Sequence, residues 1–189
     1  MDFLTERQAK ILEFVKIHHA EQKRKYTGEP YYSHLLNVAE ILHKNAHLPL
    51  SIEAALCHDL FEDTNCTHQE LTLFLKNIGY DTAESDLVTS LTIELTDVYT
   101  HTVFPNLNRT ERKALEVVRM SKNGYTAQTV KYADLIDNAK SIITHDKKFA
   151  KVYLNEKRDI LQHIKSGDIN LYSQAWTLLH DLQASLSDS

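Results

Sequence analysis

The sequence predicts an all-α fold, a single-domain bundle of many helices. Apolar residues recur at helical spacing through most of the chain, and no segment combines sustained period-two alternation with β-branched residues. Only 4 glycines and 3 prolines occur among 189 residues, so long helices meet few interruptions. The length suits one domain with a sizeable core. We therefore expect one domain over residues 1–189, with its core at about 5–165.

Capping signals mark the starts of several of the first five helices. The predicted ranges are residues 5–20, 31–45, 52–61, 67–79 and 83–97. Thr5 and Gln8 have the spacing of a capping box, and so do Thr67 and Glu70. Ser51 is a good N-cap for the third helix. In each segment the apolar residues recur at helical spacing and form one face. We expect this face to be buried against neighbouring helices.

Four further helices are predicted after a loop at residues 99–108, where Pro105 interrupts a weak helical pattern. Their ranges are residues 109–122, 126–145, 146–165 and 170–185. Asn123 and Gly124 end the first of these four. The last two helices carry apolar faces without a cofactor signature. We therefore assign both to packing, and the final one is a C-terminal packing helix.

Composition narrows the functional classes. The net charge of −5 argues against broad binding to duplex nucleic acid, which normally needs a basic face. No apolar run approaches the ~20 residues of a membrane span, and the acidic N-terminus lacks a signal-peptide core. We therefore expect a cytoplasmic protein without a membrane partner.

Cys57 and Cys66 do not form a CxxC pair, and neither is expected to be a zinc thiolate or part of a secretory disulfide. The sequence carries no signal for an oligomeric state.

A polar motif at the end of an apolar helical run is the first chemical signal. His58 and Glu62 are one helical turn apart, and so are Asp59 and Asp63. An imidazole beside a carboxylate is the beginning of a divalent metal site. The second acidic pair could act on a water molecule at such a site. The alternative is the polar end of an ordinary amphipathic helix.

Three other features have both a functional and an ordinary interpretation. Arg24 and Lys25, in the basic loop before the second helix, could contact a phosphate or a purine base, or form a solvated charge run. His34 lies on or beside the apolar face of its helix, either as a metal ligand or as a satisfied core residue. Asp134 and Asn138 lie one turn apart on a largely buried helix. A metal, a polar ligand or an ordinary hydrogen bond would satisfy them there.

The acids and histidines of these features form a coherent set of metal ligands. His34 and His58 with Asp59 and Asp134 offer two imidazoles and two carboxylates. Such a mixed nitrogen and oxygen set suits Mn, Fe or Zn, whereas Mg and Ca prefer oxygen alone. Because these protein ligands do not complete an octahedral coordination shell, positions would remain on the metal for water and substrate. A metal-activated water is a nucleophile at neutral pH.

These residues stand in motifs that resemble a known family. The motifs are Arg24-Lys25, then Gly28-Glu29-Pro30-Tyr31 with His34, the run His58-Asp59-Leu60-Phe61-Glu62-Asp63, and Lys131-Tyr132-Ala133-Asp134 with Asn138. Together they resemble the hydrolase domain of RelA/SpoT-type alarmone enzymes, a branch of the HD-domain metal phosphohydrolases. The resemblance runs from about residue 5 to 165. The chain ends where the synthetase domain of a long enzyme would begin, so the resemblance implies a small stand-alone alarmone hydrolase.

The resemblance also implies a role for each matched residue, with Mn²⁺ as the cofactor. His34, His58, Asp59 and Asp134 would hold one divalent ion, and Glu62 and Asp63 would position and activate the attacking water. Arg24 and Lys25 would contact the guanine base and a nearby phosphate, Asn138 the sugar, and Arg109 the terminal phosphates. The implied reaction is hydrolysis of the 3′-pyrophosphate of (p)ppGpp to GDP or GTP and pyrophosphate. The implied partner is this small-molecule nucleotide.

Two positions depart from the family pattern. Where the family usually has Arg and His in its last motif, this chain has Leu135 and Asp137, although Asp134 and Asn138 are retained. The change leaves the substrate open. A second possibility is a metal-dependent phosphatase on another nucleotide, such as the 2′-phosphate of NADPH. A third is a module that senses a nucleotide without turnover.

Overall fold

The computed structural model describes residues 3–46, 48–145 and 147–187. In these ranges the regular elements are helices, apart from one isolated β-bridge between Lys23 and Pro30, so the predicted all-α class is confirmed. The helices are α1 (Glu6–His18), α2 (Tyr32–Asn45), α3 (Ser51–Cys57), α4 (Leu60–Asp63), α5 (His68–Asn77), α6 (Thr82–Leu95), α7 (Arg109–Met120), α8 (Tyr125–His145), α9 (Lys147–His163) and α10 (Ile169–Ser187). None of the described helices is both long and apolar enough to cross a bilayer.

The chain divides into two compact units, Met1–Thr96 and Asp97–Ser189. In the first unit, α3 packs against α1, α2 and α6, and α5 packs against α6. Leu35 and Leu56 are fully buried in this core. Burying such side chains contributes about 1.5–3 kcal/mol each. The expectation of one domain over residues 1–189 stays a prediction.

The predicted capping signals fix several helix starts. The backbone N–H of Gln8 donates to Thr5 Oγ1, and the backbone N–H of Thr5 donates to Gln8 Oε1, which completes the predicted capping box of α1. At α5, Thr67 Oγ1 accepts the backbone N–H of Glu70 at 3.2 Å. These bonds satisfy amide donors that a helix start leaves without intrahelical partners.

The predicted helix at residues 52–61 is wrong in two details. The residue before α3 is Leu50, which has a left-handed backbone (φ 58°), and Ser51 is the first helical residue. The Ser51 hydroxyl donates to the carbonyl of Leu48 and so does not cap the helix. The helix also breaks after Cys57, because Asp59 adopts φ −98° and ψ 2°, outside the helical range. The two polar residues of the motif thus lie at a joint between two helices.

In the second unit, α8 packs against both α9 and α10, and α7 packs against α9. Tyr132, Leu135 and Ala139 of α8 are buried in this core. The helix predicted at residues 126–145 corresponds to α8. The predicted start of the next helix at Asp146 lies outside the described residues. The C-terminal helix predicted at residues 170–185 corresponds to α10.

The turn between α9 and α10 lies directly on α8. The hydroxyl of Tyr132 donates to the carbonyl of Ile164 at 2.8 Å and accepts the backbone N–H of Gly167 at 3.2 Å. The backbone N–H of Asp168 donates to Thr129 Oγ1 at 2.9 Å. A Cβ at Gly167 would lie 2.5 Å from a ring carbon of Tyr132 and 2.8 Å from the backbone nitrogen of Thr129. Only glycine allows this close approach of the turn to α8.

Candidate metal centre and its surroundings

Three of the predicted metal ligands converge in the first unit. His34 comes from the first turn of α2, and His58 and Asp59 lie at the joint between α3 and α4. One ligand atom from each residue lies within 4.8 Å of the other two. Asp59 Oδ2 is 3.1 Å from His58 Nε2 and 3.7 Å from His34 Nε2. The two imidazoles are almost completely buried, with exposures of 2% and 1%, and the carboxylate is partly open to solvent.

A backbone contact sets the orientation of His58. Its Nδ1 lies 2.7 Å from the carbonyl oxygen of Ala55, one turn earlier in α3. A carbonyl oxygen only accepts, so Nδ1 carries the proton and, in the neutral ring, Nε2 keeps its lone pair. That lone pair is on the side of Asp59. The imidazole ring of His34 meets the ring of His58 edge-on at 5.1 Å.

Tyr31 holds the carboxylate of this group. Its hydroxyl donates to Asp59 Oδ2 at 2.6 Å, a short bond of the kind that charged acceptors form. Tyr31 lies where the basic loop ends and α2 begins, and its backbone N–H donates to the carbonyl of Gln22. The sequence motif contains Tyr31 but assigns it no role. Nothing in the linear spacing brings it to Asp59, so only the tertiary structure identifies this contact.

The donor set fits the ion that the resemblance implies. Two imidazole nitrogens and one carboxylate oxygen of His34, His58 and Asp59 converge, and such a set suits Mn²⁺, Fe²⁺ or Zn²⁺. The hydrogen bonds from Tyr31 to Asp59 and from His58 to Ala55 orient ligands from outside, as the surroundings of metal sites usually do. The arrangement is therefore that of a candidate divalent metal centre rather than the polar end of an ordinary helix.

The two predicted water-activating acids lie on α4. Glu62 and Asp63 are both exposed, which leaves their carboxylates accessible to water. The side-chain amide of Gln22 donates to Asp63 Oδ2 at 2.8 Å. Because the amide nitrogen faces Asp63, its oxygen faces the buried His19, whose Nδ1 lies 2.6 Å away. Gln22 and His19 were not predicted as site residues, since they are distant from Asp63 in the sequence.

The basic loop is a tight turn that presents Arg24 and Lys25. The backbone N–H of Arg24 donates to the carbonyl of Glu29 at 2.8 Å, and the backbone N–H of Gly28 donates to the carbonyl of Arg24 at 3.0 Å. Gly28 has φ 71°, a left-handed conformation that glycine adopts at little cost. Arg24 is half-buried, whereas Lys25 is exposed with its ammonium 5.0 Å from the ring centre of Tyr26.

Asp134 and Asn138 lie in the second unit, on α8. Asp134 is buried; one carboxylate oxygen accepts the side-chain amide of Asn138 at 2.6 Å, and the other lies 2.8 Å from the ammonium of Lys131. The ordinary interpretation of the Asp134–Asn138 pair, an intrahelical hydrogen bond, is thus realised in this structure. It does not exclude a ligand, because a carboxylate oxygen can accept more than one partner.

A cluster of lysines accompanies Asp134 in the second unit. Lys113 forms a 2.7 Å ion pair with Asp97. Burial would raise the pKa of Asp97, but the charges of Lys131 and Lys113 outweigh this and hold the pKa below its ordinary value. Burial, together with the charge of Lys131, lowers the pKa of Lys157 to about 8. Lys131 occurs in the last sequence motif without an assigned role, and Lys113 and Lys157 carry no local signal.

Arg109, predicted to bind terminal phosphates, begins α7. Its guanidinium forms a two-pronged ion pair with Glu156 of α9, at 2.7 and 2.8 Å. The same group lies 5.5 Å from the ring centre of Phe149. About half of its side chain remains exposed. Its role toward phosphate stays a prediction.

Comparison with known families gives one match over most of the chain. The family described as "HD domain" matches residues 12–164. Guanosine-3′,5′-bis(diphosphate) 3′-pyrophosphohydrolase MESH1 of Drosophila melanogaster is 31% identical over 134 residues, which cover 69% of this chain and 66% of that protein. The protein of the same name from Homo sapiens is 34% identical over 140 residues, 71% of this chain and 70% of that protein.

Two further comparisons place these matches in context. The protein of the same name from Xenopus tropicalis is 34% identical over 127 residues, and the match spans 63% of its length. Matches to the fly and frog proteins thus span slightly less than two thirds of those chains. A similar solved structure is described as "A metazoan ortholog of SpoT hydrolyzes ppGpp and plays a role in starvation responses". It aligns with this chain at a TM-score of 0.78 and 22% sequence identity. The alignment covers 94% of this chain and 96% of that one. That likeness establishes the fold.

Proposed function

The chain belongs to the HD-domain family, and on that premise we propose that it hydrolyses the 3′-pyrophosphate of (p)ppGpp, giving GDP or GTP and pyrophosphate. The observation that carries the proposal is the convergence of His34, His58 and Asp59, three of the four ligands that the alarmone hydrolase motif implies. Support also comes from the fly and human relatives, which are named guanosine-3′,5′-bis(diphosphate) 3′-pyrophosphohydrolase.

We propose Mn²⁺ as the ion, held by His34, His58, Asp59 and Asp134, although another divalent metal would suit the same donors. The buried imidazoles and the carboxylate held by Tyr31 support the first three ligands. Asp134 is proposed from the motif and from its burial on α8. A divalent ion held there would act as a Lewis acid toward phosphate oxygens and would lower the pKa of a water molecule into the neutral range.

Glu62 and Asp63 are the proposed proton acceptors of the reaction. One of them takes a proton from the attacking water as its oxygen bonds to phosphorus, and the bond from that phosphorus to the ribose 3′ oxygen breaks. The sugar oxygen then takes up a proton, and pyrophosphate leaves. The exposure of both carboxylates supports this role because each is accessible to water. Gln22 fixes one oxygen of Asp63 and leaves the other available.

The substrate contacts are proposed for Arg24, Lys25, Asn138 and Arg109. Arg24 suits the guanine base, because a guanidinium can stack on a purine or fork onto phosphate, and Lys25 supplies a point charge for a neighbouring phosphate. Asn138 is assigned to the nucleotide sugar, and Arg109 to the terminal phosphates.

Incubation of the purified protein with ppGpp and Mn²⁺, with NADPH in a parallel reaction, tests the proposal. Pyrophosphate and orthophosphate are resolved in both reactions. Pyrophosphate from ppGpp is the expected result. Orthophosphate from NADPH, without pyrophosphate from ppGpp, would support the metal-dependent mechanism but identify a different substrate. Leu135 and Asp137 would then be the first positions to examine. No turnover with full metal occupancy would favour a sensing module.

Two classes of variant separate metal binding from proton transfer. We expect His58→Ala and Asp59→Ala to lose bound metal and activity together, because each removes a ligand. Glu62→Gln is expected to keep the metal and lose rate, by about 10²–10⁴-fold, the usual contribution of a general base. His180→Ala, on a side chain that is mostly exposed, is the matched control. A fully active Glu62→Gln would reject the role given to Glu62.

The cellular setting expected from the sequence remains part of the proposal. We propose a cytoplasmic location with a nucleotide as the partner and without a nucleic acid or membrane partner. The net charge of −5 supports only the exclusion of nucleic acid, which normally binds to a basic face. Fractionation of cells that express the chain tests this expectation. Recovery in the membrane fraction would contradict it.

A further inference from the structure

A second group of metal-ligating side chains lies in the first unit. His18 is the last residue of α1, Cys66 lies between α4 and α5, and Glu70 is in the first turn of α5. One ligand atom from each lies within 4.8 Å of the other two, and His18 Nε2 is 3.5 Å from Glu70 Oε1. None of these residues belongs to the candidate centre described above. Cysteine spacing led to the expectation that Cys66 is not a zinc thiolate, because its neighbours in this group come from separate segments of the sequence.

Local contacts position the segments that carry the three residues. The ring of His18 lies 4.4 Å from that of Phe14 in α1, and Phe14 stacks on Phe74 of α5 at 4.0 Å. The backbone N–H of Cys66 donates to Thr64 Oγ1 at 3.1 Å. The backbone N–H of Glu70 donates to Thr67 Oγ1, the helix cap. The ring of His18 and the backbone at Cys66 and Glu70 are therefore positioned before any ion arrives, which reduces the entropic cost of binding.

The chemistry of this group suits one class of cation. A thiolate, an imidazole and a carboxylate are the protein ligands of Zn²⁺, whereas Ca²⁺ and Mg²⁺ prefer oxygen alone. Burial, followed by the charge of Glu70, raises the pKa of Cys66 to about 12, so the thiol is neutral in the absence of a cation. A bound zinc ion deprotonates a coordinating thiol. It would also neutralise the carboxylate.

The exposure of the group allows an ion to enter. The side chain of Glu70 is 48% exposed and that of His18 is 18% exposed, while Cys66 is buried beneath them. Three protein ligands around a tetrahedral ion leave one position for water. In the metal-free site His18 pairs with Glu70, and the Cys66 thiol donates to the backbone carbonyl of Thr67 at 3.7 Å. A bound cation would replace these contacts.

We propose that His18, Cys66 and Glu70 form a second metal site that binds zinc, independent of the phosphohydrolase centre. A zinc ion there would join the end of α1, the segment after α4 and the start of α5. Cys66 follows Asp63 by three positions, so the ion would restrain the segment that carries both proposed proton acceptors. The site requires no substrate, and it stands whether or not the proposed reaction is correct.

Cobalt(II) titration of the full chain, freed of metal with a chelator, tests the site. Cobalt bound through sulfur gives a charge-transfer absorption in the near ultraviolet, whereas the centre of His34, His58 and Asp59 contains no sulfur. We expect this absorption in the unchanged chain and its loss when zinc displaces cobalt. His58→Ala should retain it, because that variant removes the other centre alone.

Cysteine variants decide the assignment. Cys66→Ser is expected to abolish the sulfur absorption, and Cys57→Ser, at the other buried cysteine, should keep it. Glu70→Gln changes an exposed side chain without disturbing the core. It should weaken cobalt binding by about tenfold or more. This variant therefore still tests the site if Cys66→Ser does not fold. No sulfur absorption in the unchanged chain, or an absorption that persists in Cys66→Ser, would overturn the proposal.

Discussion

The side-chain amide of Gln22 donates a 2.8 Å hydrogen bond to the carboxylate of Asp63. The two residues are far apart in sequence, and the contact joins the loop before α2 to α4. On its other side the amide of Gln22 meets the buried ring of His19 at 2.6 Å. The pair fixes the direction of a carboxylate that is otherwise exposed. Asp63 is thus pre-oriented before substrate arrives.

Gln22→Met, which keeps the length of the side chain and removes the donor, is expected to lower kcat about tenfold. A hydrogen bond to a charged group is worth about 1.5–3 kcal/mol, and each ~1.4 kcal/mol on the barrier is tenfold in rate. Metal affinity should not change, because His34, His58 and Asp59 are untouched. Steady-state kinetics of pyrophosphate release and a metal titration measure both quantities. Gln69→Met, on an exposed residue of α5, is the control, and an unchanged kcat in Gln22→Met would remove Gln22 from the mechanism.

Tyr31→Phe is expected to weaken binding of Mn²⁺ by about 10–100-fold, the usual effect of removing a group that orients a metal ligand. The variant deletes the hydroxyl that donates to Asp59 Oδ2 at 2.6 Å and keeps the ring. Calorimetric titration of the metal-free protein gives the affinity. Tyr32→Phe removes a neighbouring hydroxyl on the first turn of α2 and serves as the control. Equal affinities in both variants would show that the bond to Asp59 does not tune the site.

Lys157→Met is expected to stabilise the protein at pH 7, with a gain that falls as the pH rises. Burial and the charge of Lys131 lower the pKa of Lys157 from 10.5 to about 8 in the folded state. The unfolded state therefore binds more protons between those values, and the stability of the unchanged chain rises with pH across that interval. At pH 7 the buried charge costs on the order of 3 kcal/mol, which the variant removes.

Urea unfolding at pH 7 and pH 9.5 measures this difference. The gain in Lys157→Met should shrink by about half at the higher pH, since the unchanged side chain is then mostly neutral in the folded state. Lys151→Met, on an exposed residue of the same helix, is the control. A gain of equal size at both pH values would mean that better apolar packing of the methionine, and not removal of the charge, is responsible.

Gly167→Ala is expected to lower the free energy of unfolding by about 1–3 kcal/mol, the usual cost of overpacking. The new methyl group would meet the ring of Tyr132 and the backbone of Thr129, and the turn between α9 and α10 would have to move away from α8. Thermal unfolding gives the change in Tm. Ser166→Ala, at an exposed neighbour, should leave Tm close to that of the unchanged chain. A stable Gly167→Ala would mean that the turn can shift without losing its hydrogen bonds.

The helices could be predicted because their signals are local. Thr5 and Thr67 cap helices through backbone groups three residues away, and the apolar spacing of each segment needs no partner to be visible. The break at Asp59 could not be predicted, since the apolar helical pattern continues past it to Phe61 and no glycine or proline interrupts it. Its conformation depends on contacts such as the hydroxyl of Tyr31. Leu50 is similar, because a left-handed leucine has no sequence signature.

In the candidate site, too, residues with a local sequence signal could be predicted and residues brought together by folding could not. The motif made His58, Asp59, Glu62 and Asp63 visible because they are adjacent in sequence. The groups that orient them were not visible, since Gln22 approaches Asp63 only after the chain folds. The same reason hid the His18, Cys66 and Glu70 group, whose members come from three separate segments.

The hydrogen bond from His58 Nδ1 to the carbonyl of Ala55 has a spectroscopic consequence. The ring proton at Nδ1 is buried and bonded to a carbonyl, so it exchanges slowly with solvent and should give a downfield signal in a proton NMR spectrum. Binding of a diamagnetic ion such as Zn²⁺ at Nε2 changes the electron density of the same ring and therefore shifts that signal. The imidazole of His58 is in effect a built-in reporter, which would show the arrival of the ion in the absence of any nucleotide.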